Sequence, residues 1–139
     1  MGDHNITKEE RLTDSLFEIG TMRKLLRIHR QTLGTDDMSD NIATHSYRVA
    51  MTGWLLAKEE KVDPYKVVMM CLLHDVAEIR SGDHNWIHKR YVKIFDEEIK
   101  EDQLGMLPHS DLKDILDEYD RRETPESIAL LKQSKDIEV

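Results

Sequence analysis

A single cysteine stands among the 139 residues, so no intrachain disulfide can form, which agrees with a reducing compartment. No apolar stretch approaches the roughly 18 to 20 residues that span a bilayer, and Met1-Gly2-Asp3-His4 lacks the basic-then-apolar order of a signal peptide. These absences lead us to expect a cytoplasmic protein with no membrane partner. Basic excess is missing too: Lys and Arg number 20 against 28 Asp and Glu, a formal charge of −8. That balance argues against a partner that is a nucleic-acid polymer, because backbone affinity rests on clustered cations releasing counterions. A small anionic ligand stays open, since it needs only a local positive site. There are no repeats, low-complexity tracts or long linkers, and the length suits one compact domain over 1–139. Nor is there a convincing run of alternating β-branched residues, so the expected fold class is all-α.

What is present is helix-forming and well punctuated. Hydrophobic residues make up 39% of the chain, and the run Val67-Val68-Met69-Met70-Cys71-Leu72-Leu73 can bury a central element. Leu12, Leu16, Ile19, Met22, Leu25 and Leu26 recur near the 3.6-residue period and predict a first helix from Glu9 to about Ile28, with Gly20 a point of interruption. The stretch Gly34 to Asp40 reads as a loop leading to the N-cap of a second helix, about Asn41 to Lys61. Asp63-Pro64, an acid at the cap and proline at the first helical position, opens a third helix to about Ile79. A fourth is expected from His88 to Leu104, a fifth from Ser110 to about Arg122, and a sixth after Thr124-Pro125.

His74-Asp75 sits at the polar end of the most buried of these helices, where two metal-capable side chains are costly unless something pairs them. One reading is a helix end emerging into solvent. The other begins from Glu78, at i+4 from His74 and i+3 from Asp75, which on a regular helix projects from the same side. His45 lies on the inward stripe of the preceding helix with Val49, Thr52 and Leu56. The short turn at Val62-Asp63-Pro64 packs the two helices antiparallel, so that His45 meets His74 and Asp75. Imidazole plus carboxylate suits Mn, Fe, Co, Ni or Zn, whereas Mg and Ca prefer all-oxygen ligands.

The segment Asn41-Ile42-Ala43-Thr44-His45-Ser46-Tyr47-Arg48-Val49-Ala50, then His74-Asp75-Val76-Ala77-Glu78, then Ser81-Gly82-Asp83 resembles the HD-domain 5′-deoxynucleotidases of the HD superfamily, from about Arg30 to Trp86 and more weakly to about Ser127. The resemblance implies an HD-domain bundle of about five to six helices. It implies a divalent transition metal on His45, His74 and Asp75, and Glu78 serving the nucleophilic water. It also implies a phosphohydrolase that cleaves a (deoxy)nucleoside 5′-monophosphate, with a homodimer as the default assembly. Asp83, also in a catalytic position, and His84, Asn85 and Trp86 fall where the family contacts substrate. The carboxylate would accept from a sugar hydroxyl and the indole stack on a base; the alternative is a core tryptophan and a helix-capping acid. Arg30, fifteen residues before His45, matches the family's phosphate-orienting arginine, the alternative being a solvated member of the cluster Arg23, Lys24, Arg27 and Arg30. The next substrate position is Gln31, where the family has tryptophan, and Thr44 replaces an acid before the first histidine.

The final metal ligand of HD domains is an aspartate on a late helix. Ungapped, Lys135 falls at that position and Asp136 one residue later, a displacement of about 100° around a helix. Two outcomes are open: Asp136 as the fourth protein ligand, or a site of His45, His74 and Asp75 completed by water or a partner chain. The chain ends three residues after Asp136, where relatives continue, so an end truncated relative to the family is expected. His84 and His88 have a metal-compatible i, i+4 spacing, and Cys71 lies one turn before His74 among apolar neighbours that favour a buried thiol. Rival activities are hydrolysis of nucleoside triphosphates or another phosphorylated metabolite, and non-catalytic nucleotide binding.

Overall fold

The computed structural model describes residues 5–28, 34 and 36–137, with side chains described to residue 132. Helix α1, Lys8–Gly20, begins in a capping box: the Thr7 hydroxyl accepts from the Glu10 amide at 3.1 Å and the Glu10 carboxylate accepts from the Thr7 amide at 2.7 Å. The expected helix to Ile28 is not formed. A 3₁₀ turn, Thr21–Lys24, replaces it, and Leu25 is extended. Ile42 N–H then donates to Leu25 C=O at 2.8 Å and Arg27 N–H to Asp40 C=O at 2.9 Å. Pairing with the entry to the next helix overrides the apolar period, because it satisfies the same backbone groups while burying Met22 and carrying Arg27 inward.

Helix α2, Ile42–Glu60, is capped by the Asn41 side chain, which accepts from Thr44 N–H at 3.0 Å, and ends at Lys61 in the left-handed region at φ 58°. The Asp63 carboxylate accepts from the amides of Tyr65 and Lys66 and opens α3, Pro64–Leu73. Val49, Ala50, Ala57, Val67, Met70 and Cys71 interlock between α2 and α3, and Leu130 closes the cluster. The other helices are short α4, Glu78–Ser81; α5, Asp96–Lys100, running into a π-turn over Glu101–Gly105; α6, Asp111–Arg121; and α7, Pro125–Ile137. Met22, Ile42, Leu73, Val76, Leu104 and Leu116 form a second cluster, against which Leu25, Leu112 and Tyr119 pack. Among the described residues the only extended pairing is an isolated bridge of Leu26 with Asn41, so the architecture is an all-α bundle.

Two further departures bear on function. The third helix stops at Leu73 instead of about Ile79. Val76, Glu78, Ile79 and Arg80 donate to carbonyls three residues back, at 3.0–3.2 Å, which winds the segment tightly before α4. Gln103, buried, donates to Val76 C=O at 3.2 Å and to Glu18 at 3.1 Å, and so pins this segment to the rest of the bundle. The helix expected from His88 is a single 3₁₀ turn, His88–Arg90, with regular helix only from Asp96. Asp96, Glu97 and Glu98 favour a start there through the helix dipole. Lys100, 4% exposed, pairs with Asp117 and Asp120 at 2.7 Å each and so ties α5 to α6. Among the described residues no helix is long and apolar enough to cross a membrane.

Candidate metal centre

Tight winding after Leu73 is what builds the centre. With three residues per turn, side chains at i and i+3 eclipse, so Glu78 is brought over Asp75 more directly than a regular helix would place it. Asp75 is 9% exposed, and its Oδ2 lies 3.3 Å from His45 Nε2 and 3.2 Å from His74 Nε2. The His45 and His74 ring centroids are 6.2 Å apart, so the start of α2 does meet the end of α3. Ligand atoms of His45, His74 and Asp75 all lie within 4.8 Å of one another.

Two of the donors, His74 and Asp75, are prepared for a cation. His74 Nδ1 stands 2.6 Å from the Cys71 carbonyl, which only accepts, so Nδ1 carries the proton and Nε2 keeps its lone pair toward Asp75. The imidazole contacts are not well-aligned hydrogen bonds, and Asp75 Oδ2 is a buried oxygen with no hydrogen-bond partner. A buried carboxylate left that way is costly unless positive charge supplies what hydrogen bonds do not. Burial pushes the Asp75 carboxyl up, but the His45 and His74 imidazoles and the Arg27 guanidinium outweigh it and hold it below the usual range. The residues present therefore fit a divalent ion bound by His45, His74 and Asp75.

Two more groups frame the centre. Glu78 Oε2 is likewise buried without a hydrogen bond. Burial, then the charges of Asp75 and Asp83, push its carboxyl up to about 8, against a smaller pull from Arg27 and Lys89. Asp83 Oδ2 accepts from Ile28 N–H at 2.7 Å, and Arg27 bridges the acids, with Nη1 at 4.0 Å from Asp75 and Nε at 3.8 Å from Asp83.

The remaining expected contacts divide. His84 Nε2 is 2.6 Å from the Ser81 carbonyl, and Asn85 is occupied as a cap, accepting from the amides of Ile87 and His88. Trp86 is 71% exposed, which excludes the core alternative. The His84 and His88 rings meet edge-on at 6.1 Å, but among the described residues only His45, His74 and Asp75 form a three-ligand cluster. Cys71 is buried, burial pushes its thiol up to about 12, and it stands outside that cluster. Arg30 and Gln31 lie outside the described residues. Asp136 falls within α7, but its side chain also lies outside them.

Arg27 and Tyr119 complete the surroundings without having been singled out. Arg27 belonged to the noted basic cluster, but nothing in its spacing distinguished it; the pairing of Leu25 to Arg27 with Asp40 to Ile42 turns it inward. Tyr119 packs edge-on against His74 at 6.0 Å from α6, 45 positions along the chain, with no local signal to announce it.

An all-α bundle that gathers two histidines and an aspartate from the facing ends of a helical hairpin defines a class of candidate metalloprotein. The HD domain family model matches residues 22–138, and the chain belongs to that family. Among curated proteins it is similar to the Ribonuclease Y proteins of Borreliella afzelii strain PKo and Borreliella burgdorferi, each 31% identical over 84 residues, covering 54% of this chain and 16% of the relative. The chain thus spans about a sixth of the length of those relatives. Among solved structures it resembles a conserved hypothetical protein from Pyrococcus furiosus, with a TM-score of 0.76 at 23% identity, covering 88% of this chain and 75% of that one. A second structural-genomics crystal structure aligns with a TM-score of 0.67 at 22% identity, covering 86% and 83%. At these identities the structural likenesses establish the fold alone.

Proposed function

We propose that this HD-domain protein is a metal-dependent phosphohydrolase acting on nucleoside 5′-monophosphates, which it cleaves to nucleoside and phosphate. Family membership supports metal-dependent hydrolase chemistry in general; the mononucleotide substrate rests on the resemblance of residues 41–50, 74–78 and 81–83. The observation that carries the reading is the convergence of His45, His74 and Asp75 on one small volume, with Asp75 Oδ2 buried and unsatisfied. A divalent cation held by these three would polarise a phosphate oxygen and increase the acidity of the attacking water. Asp136 is proposed as a fourth ligand, and the ion as one of Mn, Fe, Co, Ni or Zn.

The chain's own residues then have distinct tasks. The Cys71 carbonyl fixes the His74 tautomer and ring orientation. Arg27 presents a planar guanidinium between two carboxylates, where it can orient a phosphate oxygen; Arg30 and Gln31 are proposed to assist from the adjoining segment. Glu78 takes the proton of the nucleophile. Its carboxyl is neutral below about 8 in the metal-free chain, and added positive charge beside Asp75 would favour the ionised form that catalysis requires. Asp83 fixes the Ile28 backbone and with His84, Asn85 and Trp86 borders the place of the nucleoside. The active unit is proposed to be a homodimer in the cytoplasm.

The names of the Ribonuclease Y relatives favour a second reading, hydrolysis of a phosphodiester. The test is release of phosphate by metal-loaded protein from a panel of nucleoside mono-, di- and triphosphates, run beside an internally linked oligonucleotide. Phosphate from monophosphates alone supports the proposal. Shortened oligonucleotide with intact monophosphates supports the second reading, and binding of dAMP without turnover of any substrate overturns both in favour of a non-catalytic nucleotide binder.

A further inference from the structure

Between Asp83 and Asp96 the chain contains no acidic residue, in a protein whose net charge is −8. That interval holds Lys89, Arg90 and Lys93 with two histidines, interleaved with Trp86, Tyr91 and Phe95. Every residue from Trp86 to Lys93 is exposed: Trp86 by 71%, Ile87 by 49%, Tyr91 by 81% and Val92 by 45%; Phe95 follows at 55%. The segment is nevertheless ordered. Asn85 caps it, backbone bonds run from Lys89 to Asn85, Arg90 to Ile87 and Tyr91 to His88 at 2.9–3.1 Å, and Lys93 Nζ stands 5.0 Å over the Phe95 ring. Aromatic rings left in water lose apolar burial, and a partner with flat faces recovers it.

We propose that residues 86–95 form a docking surface for single-stranded nucleic acid: Trp86, Tyr91 and Phe95 stack successive bases, and Lys89, Arg90 and Lys93 hold the phosphates between them. Alternating aromatic and cationic side chains match the alternation of base and phosphate along one strand. The surface adjoins the candidate metal centre, because Trp86 is three residues from Asp83, whose carboxylate stands 3.8 Å from Arg27 Nε at that centre. Whole-chain charge, which argues against a general polymer binder, does not describe a local stretch without acids. A membrane is a poorer fit, since interfacial helices segregate cations and apolar residues to opposite faces, and here only His88–Arg90 are helical and the two kinds are mixed. A second copy paired through the same face would set like charges against each other.

The test uses the full chain with its metal chelated, so that binding is read without cleavage, and a fluorescein-labelled oligothymidylate of ten nucleotides. Anisotropy should show saturable binding that weakens with added salt, by a log–log slope of about −2 for three phosphate contacts. Tyr91→Ala should weaken binding by about 5- to 100-fold, the loss of one stacked base, and the double variant Arg90→Glu, Lys93→Glu should abolish it at moderate salt. Circular dichroism of these exposed-site variants should match the parent. Phosphate release from dAMP by the metal-loaded protein should be unchanged in both, which separates this surface from the catalytic proposal: oligothymidylate binding by a protein whose metal-loaded form releases no phosphate from dAMP leaves the surface standing and the phosphatase reading fallen. Undetected binding at low salt, or binding that Tyr91→Ala leaves within twofold, overturns the inference. So does binding of anionic phospholipid vesicles in place of the oligonucleotide, or conversion of a dimer to monomer by the variants with no oligonucleotide bound by either.

Discussion

Replacing Glu78 by glutamine should change how the metal-free protein's stability depends on pH, and the change can be worked from the structure. Glu78 Oε2 is enclosed, unsatisfied and close to the charges of Asp75 and Asp83, and its carboxyl titrates near 8 when folded against 4.5 for an unperturbed glutamate. Between those two values the folded chain carries a proton here that the unfolded chain has lost. Stability therefore falls as pH rises, by up to about 1.4 kcal/mol per pH unit. The whole interval corresponds to a ceiling of about 5 kcal/mol, which partial solvent access and coupling to Asp75 reduce to about 2 to 3 kcal/mol. Stability is complete below the unfolded value and lost as pH passes the folded one. Glutamine has the shape of the protonated acid and does not titrate, so Glu78→Gln should match the parent within about 1 kcal/mol at pH 5 and exceed it at pH 9. Urea denaturation in a chelator, followed by circular dichroism from pH 5 to 9, measures both curves. Parallel curves across that range would refute the account of Glu78 as a buried carboxyl held neutral by its surroundings.

His74→Ala and Asp75→Ala should each remove bound transition metal as read by elemental analysis of purified protein, whereas Glu78→Gln should retain it and lose turnover by about 10²- to 10⁴-fold. Retention of stoichiometric metal by Asp75→Ala would sink the ligand assignment. Arg27→Ala should raise KM for a monophosphate by about tenfold or more, and Arg27→Lys should recover little of it, because an ammonium is a point charge that cannot serve both Asp75 and Asp83 while presenting a planar face to phosphate. Wild-type KM in Arg27→Lys would reduce Arg27 to a structural counter-charge.

Local signals were legible wherever a few neighbouring residues decide the outcome. Asn41, Asp63-Pro64 and Thr124-Pro125 marked helix starts because capping uses side chains within three positions of the amides they satisfy. The apolar period carried α2, and α3 as far as Leu73, and their short connection made them a hairpin, which by itself brings His45 to His74 and Asp75. Local signals failed where distant segments compete for the same backbone groups. The period of Leu25 and Leu26 could not anticipate that their backbone would pair with Asp40 to Ile42, and that pairing delivers Arg27 to the centre. The tightening after Leu73, which sets Glu78 over Asp75, is held in part by Gln103 from far along the chain. Donor types and the hairpin that gathers them were thus determined by sequence, since both follow from short-range rules. Burial of Asp75 and Glu78, the bridging of two acids by Arg27 and the edge of Tyr119 on His74 were decided only by tertiary structure, because each depends on which remote surface excludes water from the site.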